Sequence, residues 1–219
     1  MHPMSARPPF ADLPETVIPV PERLTGRRLL LRIYDLGDAP LVSAAVRASR
    51  ARLAPWLPWA ETSHERLEDS IDFCARSRAH WLLRRDDINY GLFAREGGAY
   101  LGGIGLHAID WQVRRFEIGY WLRDGAEGRG YMTEAVRLLS GLLFESLGAI
   151  RVEIRCDARN ERSRRVAERS GYVPEARLRH HERAPDGTLR DTLILAMIRP
   201  DFDAVRASWA DASDLPERV

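Results

Sequence analysis

The chain has 219 residues, 45% of them hydrophobic, and its 33 basic side chains nearly balance 32 acidic ones. This length and charge balance predict one globular domain and argue against nucleic acid or a membrane surface as a direct partner. Neither an apolar run of membrane-spanning length nor a charged-then-apolar leader is visible, which predicts a cytoplasmic protein. The two cysteines, Cys74 and Cys156, are far apart and outside any metal-ligand spacing, so no metal is expected.

The N-terminal stretch, residues 1–22, is rich in proline and lacks periodicity, which predicts an extended arm. A single domain is expected over residues 23–200. Its first strand is predicted at Leu29 to Ile33 by a short apolar run, and a helix follows from Asp38 to about Ala48. Residues 201–219 are interpreted as a C-terminal tail that begins with a helical turn.

Two tryptophans, Trp56 and Trp59, lie in a short loop from Leu53 to Trp59 that two prolines stiffen. They either fill the core, as large aromatic side chains often do, or form the wall of a substrate cleft. Both interpretations stay open at this point. A second helix is predicted from about Glu65 to Arg84.

The centre of the chain combines strands with glycines. Asn89 to Ala94 and Tyr100 to Ala108 predict a hairpin, and the alternating apolar residues of Arg115 to Leu122 predict a strand buried on one face. Gly125 to Gly130 then leads into a helix that runs to about Leu147. Such a strand, glycine loop and helix form either a tight turn or a phosphate cradle. A cradle is favoured because a glycine backbone approaches a ligand closely and the first helical turn favours an anion.

The last third of the chain returns to strands. A strand is predicted at Arg151 to Asp157, a short helix at Ser163 to Ser170, and a hairpin formed by Val173 to Arg183 and Leu189 to Ile198. This mixed order of strands and helices fits neither a doubly wound fold nor an all-β sandwich. It predicts a mixed α+β domain.

Four motifs in chain order resemble the GNAT N-acetyltransferase superfamily, and within it the RimJ/RimL-type ribosomal-protein Nα-acetyltransferases. The patterns LxxWLPW, EIGYWL, GxGYxTEA and NxxSxxVxExxGY stand at Leu53 to Trp59, Glu117 to Leu122, Gly128 to Ala135 and Asn160 to Tyr172. The chain departs from the superfamily at Gly125, where Gln or Arg is usual. The resemblance implies a central, mostly antiparallel sheet of six to seven strands flanked by helices, with the fourth and fifth strands splayed around the pantetheine arm.

The resemblance also implies an activity. Acetyl-CoA is the expected co-substrate, without a metal, and the acetyl group passes directly to a primary amine, in this branch the N-terminal α-amine of a protein. Two alternatives stay open: an acceptor that is a small amine, such as an amino acid, polyamine or antibiotic, and a CoA-binding module without activity. A homodimer is compatible with the resemblance.

Site residues follow from the resemblance position by position. The expected cofactor-binding residues are Tyr120, Trp121, Leu122, Arg123, Gly128, Arg129, Gly130, Tyr131, Met132, Thr133, Asn160 and Ser163. Asn160 can alternatively serve as the N-cap of the following helix. Ser163 is expected to donate a proton to the leaving thiolate. Glu127, which is unfavourable beside phosphates, is predicted to point to solvent.

The acceptor side of the site is less defined by sequence. The resemblance assigns Glu182 as the base that deprotonates the amine, while His180, His181 and Glu117 remain rivals for this role. Glu117, Trp56 and Trp59 are expected to contact the acceptor.

Overall fold

The computed structural model describes residues 20–83, 87–184 and 186–210. Its strands are β1 (Arg23–Thr25), β2 (Leu29–Ile33), β3 (Ile88–Ala94), β4 (Tyr100–Asp110), β5 (Arg115–Leu122), β6 (Arg151–Asp157), β7 (Val173–Arg183) and β8 (Leu189–Ile198). They form one sheet in the order β1-β2-β3-β4-β5-β6-β8-β7. The predicted mixed α+β fold is confirmed, but the sheet has eight strands. The additional strand, Arg23–Thr25, is too short to show a periodicity and is recognised by its pairing with β2.

Six α-helices flank this sheet in the described part of the chain. They are α1 (Ala39–Leu53), α2 (Trp59–Thr62), α3 (Leu67–Leu83), α4 (Tyr131–Gly141), α5 (Glu161–Arg169) and α6 (Arg199–Ala210). α1 continues past Ala48, where the prediction ended it, because Ala51 and the arginines around it are good helix formers. α2 begins at Trp59, the last residue of the segment predicted as a tryptophan loop. A π-helical turn, Leu142–Ser146, extends α4 to about the predicted end.

The two faces of the sheet bury different residues of β5. Phe116 and Ile118 are fully buried in the core cluster that includes α4, each contributing about 1.5–3 kcal/mol through burial. Glu117, Gly119 and Trp121 alternate with them and therefore face the opposite side of the sheet. The side chains of Glu117 and Trp121 are thus positioned on that second face.

The strands β5 and β6 part from each other midway along their length. They pair in parallel at Arg115 with Arg151, Phe116 with Val152 and Glu117 with Glu153, and the pairing ends there. β4 and β8 hold the outer edges of β5 and β6 along most of their lengths. The predicted splay of these two strands, the fifth and sixth when β1 is counted, is therefore present and opens a gap through the sheet.

The structure buries side chains in two segments that the sequence analysis assigned to the N-terminal arm and the C-terminal tail. Val20 is buried and its carbonyl accepts a hydrogen bond from Nε1 of Trp81 at 2.9 Å, so the end of the predicted arm packs on the domain. Residues 1–19 lie outside the described residues. Residues 201–210, assigned to the tail, form most of α6 and bury Phe202 and Trp209. Among the described helices, none has the length and apolar character needed to cross a membrane.

Candidate active site

The glycine loop between β5 and α4 requires glycine at two positions next to the helix. Gly128 and Gly130 adopt φ values of 73° and 77°, in the left-handed region that side chains disfavour, and Gly130 is the residue before α4. The first N–H groups of a helix have no partner within it, and the helix dipole adds positive potential there. The loop therefore forms a site suited to the phosphates of a ligand.

A buried carboxylate fixes the start of α4 against the edge of β2. Glu134 is only 2% exposed and accepts hydrogen bonds from the backbone N–H and the Nε of Arg28, both at 2.7 Å. Arg28 also donates to the carbonyl of Arg129 at 2.8 Å. Arg28, directly before β2, thus connects that strand to the glycine loop and to α4. Sequence reasoning missed this link because Arg28 and Glu134 are 106 residues apart.

The sequence analysis predicted that the Glu127 side chain points to solvent, but an ion pair holds it in place instead. Its side chain is 27% exposed and pairs with Nε of Arg52, from the last turn of α1, at 2.7 Å. Arg52 also contacts Asp124 at 2.5 Å and the carbonyl of Leu122 at 2.6 Å. The arginine therefore neutralises the acidic side chains that would otherwise repel a phosphate at this loop.

Replacement of Arg52 by Ala is expected to raise the Kd of acetyl-CoA about 10-fold, because Asp124 and Glu127 lose their counter-charge beside the phosphates. Titration calorimetry at low salt measures the change. Arg47→Ala is the matched control, since Arg47 is an exposed residue of the same helix that does not line the cavity. Equal affinities of the two variants would contradict this role of Arg52.

A cavity of about 1290 Å³ occupies the gap between β5 and β6. Most of the predicted cofactor positions line it: Tyr120, Trp121, Leu122, Gly128, Gly130, Tyr131, Met132, Thr133, Asn160 and Ser163. The predicted acceptor residues Trp56, Trp59 and Glu117 line it as well. Arg123 and Arg129 do not line it. The Nε of Arg123 donates to the carbonyl of Tyr100 at 2.7 Å, and the carbonyl of Arg129 accepts a hydrogen bond from Arg28. The cavity therefore joins the glycine loop to the predicted acceptor side.

Hydroxyl groups from β5 and α5 meet inside the cavity. The Tyr120 hydroxyl lies 3.1 Å from Oγ of Ser163 and 3.0 Å from its carbonyl oxygen. Burial raises the pKa of Tyr120 well above its usual value, so this phenol stays protonated and available as a donor. The Ser163 N–H donates to Oδ1 of Asn160 at 3.1 Å, which makes Asn160 the N-cap of α5. Sequence reasoning assigned only the backbone of Tyr120 and missed its hydroxyl.

The acceptor side of the cavity contains a partly buried carboxylate. Burial raises the pKa of Glu117, while Nε of Arg155 at 3.4 Å and the nearby His107 act in the opposite direction. Arg155 is shared, because it also donates to Glu153 at 2.8 Å. Glu117 therefore faces the cavity with Arg155 as a partner that it shares with Glu153.

Glu182 does not line the cavity, although its charge is near enough to contribute to the raised pKa of Glu117. It lies opposite Arg190 in the β7–β8 pair and accepts a hydrogen bond from its Nη2, while Nη1 of Arg190 reaches the carbonyl of Trp56 at 3.3 Å. His181 lies 3.0 Å from the hydroxyl of Thr192, and the N–H of His180 donates to Asp191. None of Glu182, His180 and His181 lines the cavity that contains Ser163.

The two tryptophans occupy the rim of the cavity on the acceptor side. Trp59 is 36% exposed, and its ring centroid lies 5.9 Å from that of Trp121 and 6.1 Å from that of His64. This exposure fits a cleft wall better than a core residue. His64 and Phe73, which the sequence analysis did not select, continue the aromatic surface with a centroid separation of 5.2 Å.

Comparisons with known proteins agree with this geometry. A family model described as acetyltransferase (GNAT) domain matches residues 28–173. "Putative ribosomal N-acetyltransferase YdaF" of Bacillus subtilis (strain 168) is 33% identical over 155 residues, 69% of this chain and 81% of that protein. The crystal structure of a probable acetyltransferase superposes with a TM-score of 0.75 at 28% identity, covering 82% of this chain and 98% of the other. Mycobacterium smegmatis RimJ, solved with CoA-disulfide, shares the fold with a TM-score of 0.76 at 21% identity, covering 86% and 95%.

Proposed function

Because the chain belongs to the GNAT acetyltransferase family, whose members take the acetyl group from acetyl-CoA, we propose that it acetylates the N-terminal α-amine of a protein. Acetyl transfer to an amine is the activity of the family, and the protein acceptor is the proposal. The observation that carries it is the cavity of about 1290 Å³. This volume exceeds the roughly 300–1,000 Å³ of small-ligand sites and leaves room for a chain terminus beside the CoA arm. The resemblance to YdaF supports the same acceptor class.

Different residues of the cavity are assigned to different steps of the acetyl transfer. The glycine loop holds the phosphates, and the backbone N–H groups of Tyr120 to Leu122 are assigned to the thioester carbonyl oxygen, where negative charge develops. Ser163, hydrogen-bonded to the protonated Tyr120, is assigned to protonate the leaving thiolate. Glu117 is assigned to pair with the incoming ammonium. Because an α-amine has a pKa near ~8, a modest base suffices to deprotonate it.

A panel of acceptors tests this function. Thiol release from acetyl-CoA is measured with peptides that begin with Ser or Ala, with the same peptides blocked at Nα, and with small amines. Turnover on free but not on blocked peptides is expected. Turnover confined to small amines would contradict the protein acceptor while keeping the activity, and binding of acetyl-CoA without any turnover would favour a CoA-binding module.

Replacement of Glu182 by Gln is expected to change kcat by less than about threefold, because Glu182 pairs with Arg190 outside the cavity. Loss of a general base instead costs ~10²–10⁴-fold. Steady-state kinetics on the best peptide measures the difference, with Glu175→Gln on the same strand as control, since Glu175 pairs with Arg151 outside the cavity. A loss of 100-fold or more in the Glu182 variant alone would support the sequence-based assignment of Glu182 as the base.

A further inference from the structure

An aspartate fixes the tautomer of one histidine in the cavity. Nδ1 of His107, on β4, lies 2.7 Å from Oδ1 of Asp87, just before β3. The hydrogen bond with His107 lowers the pKa of Asp87, so the carboxylate is ionised and can only accept. Nδ1 is therefore the donor, and in the neutral imidazole the lone pair resides on Nε2.

A glycine on the neighbouring strand brings the imidazole over β5. A Cβ added at Gly119 would lie 2.8 Å from both Nε2 and Cδ2 of His107, so the ring occupies the space that a side chain would fill. His107 is also the direct cross-strand partner of Glu117, and such pairs place their Cβ atoms about 4.5–5.5 Å apart on one face. Both residues line the cavity. The imidazole and the carboxylate assigned to the ammonium therefore belong to the same cavity wall, and His107 acts electrostatically on Glu117.

The histidine also has a route to solvent. Its side chain is 39% exposed and that of Asp87 41%, whereas the Glu117 side chain is 27% exposed. A proton accepted by the imidazole can thus leave the site without crossing the core. The arrangement of carboxylate, imidazole and open cavity is that of an oriented base.

We propose that His107, oriented by Asp87, is the general base that removes a proton from the acceptor ammonium; this inference rests on the proposed function. Nε2 takes one proton, the neutral amine forms the C–N bond, and the C–S bond breaks. Ser163 gives its hydroxyl proton to the leaving thiolate, and the second proton of the nitrogen passes to the Ser163 oxygen and restores the hydroxyl. The imidazolium then releases its proton to water. His107 is a catalytic residue in this scheme, and Asp87 is a positioning residue.

Several charged groups face this pair and enter its pH dependence. His80 of α3 acts on Asp87, and Glu117 shares its surroundings with three other groups. Those groups, on β6 and β7, are Glu153, Arg155 and Glu182. Because His80 faces the same aspartate and does not line the cavity, it provides a matched histidine for comparison.

The central test compares His107→Gln with His80→Gln. The His107 variant is expected to lose about 100-fold in kcat at pH 7 with an unchanged Kd for acetyl-CoA, and the His80 variant to remain within threefold of the wild type. The deficit should shrink above pH 8, where the α-amine is increasingly neutral in solution. A structural defect would instead give a loss independent of pH. Full activity of the His107 variant, or a loss that is constant with pH, overturns the inference.

Two further variants test whether activity depends on the orientation of the His107 imidazole. Asp87→Asn removes the charge behind Nδ1 and is expected to lower kcat about 10-fold. Gly119→Ala should displace the imidazole and lower kcat with little change in acetyl-CoA affinity. Wild-type activity in both would contradict the oriented base. An inactive wild type on every amine contradicts the proposed function itself, whereas an active wild type beside an equally active His107 variant contradicts this inference alone.

Discussion

Replacement of Glu117 by Gln is expected to lower kcat/KM for a free peptide about 30- to 100-fold, mainly through a higher KM. The carboxylate is partly buried and shares Arg155 with Glu153, so the ammonium of the acceptor would be a second positive partner that Glu117 does not share. Hydrogen bonds to charged groups contribute ~1.5–3 kcal/mol, which converts to about 13- to 160-fold and contains the expected range. The His107 variant should differ by losing kcat at a similar KM.

Steady-state kinetics on one peptide separates the two effects. Glu175→Gln, on β7, is the control because Glu175 pairs with Arg151 and does not line the cavity. A Glu117 variant that loses kcat alone, with an unchanged KM, would show that the carboxylate acts on the proton and not on binding.

The same substitution should raise the thermal stability at neutral pH. Burial raises the pKa of Glu117 above its unfolded value, so the folded state binds this proton more tightly and loses stability as the pH rises through that pKa. Gln removes this cost, and Arg155 keeps Glu153 as a partner. We therefore expect a higher Tm at pH 7 and no gain below the unfolded pKa of about 4.3. A lower Tm at pH 7 would mean that Arg155 needs both carboxylates.

The sequence predicted the strand, glycine loop and helix correctly in position because their signal is local. A strand, glycines at left-handed positions and the start of a helix all lie between Arg115 and Tyr131. The residues that support this loop were missed because they come from elsewhere in the chain. Arg52 reaches Asp124 from 72 positions away, and neither residue carries a local pattern that points to the other.

The acceptor side of the cavity also depends on contacts between distant parts of the chain, which a local sequence pattern does not reveal. The position of Glu182 depends on a register shift between Leu178 and Glu182 in β7, where His180 adopts a φ of 50°. Such a bulge bends the strand, and counting along the chain does not reveal where the side chain then lies. The pairing of His107 with Glu117 likewise depends on the β4–β5 register, although both residues lay in predicted strands. Cross-strand register is a tertiary property, so a single sequence predicts these strands better than the pairs they form.

Replacement of Trp209 by Ala is expected to destabilise the domain by about 3–5 kcal/mol, the range for removing a buried tryptophan. The side chain is 1% exposed and packs edge to face on Phe202 with a centroid separation of 5.5 Å. Phe202 in turn stacks on Phe144, within the π-helical turn, with a centroid separation of 4.7 Å. The loss therefore extends from α6 to the end of α4, which carries the phosphate loop at its other end.

Thermal unfolding measures this change. For a domain of this size ~2–4 °C per kcal/mol predicts a fall in Tm of roughly 10 °C. Trp59→Ala is the matched control, since Trp59 is 36% exposed at the cavity rim and should affect the KM of the acceptor more than Tm. A Tm within 2 °C of wild type would support the sequence-based boundary at residue 200. A large fall would instead make residues 201–210 part of the folding unit, because only a helix that belongs to the core can transmit such a loss.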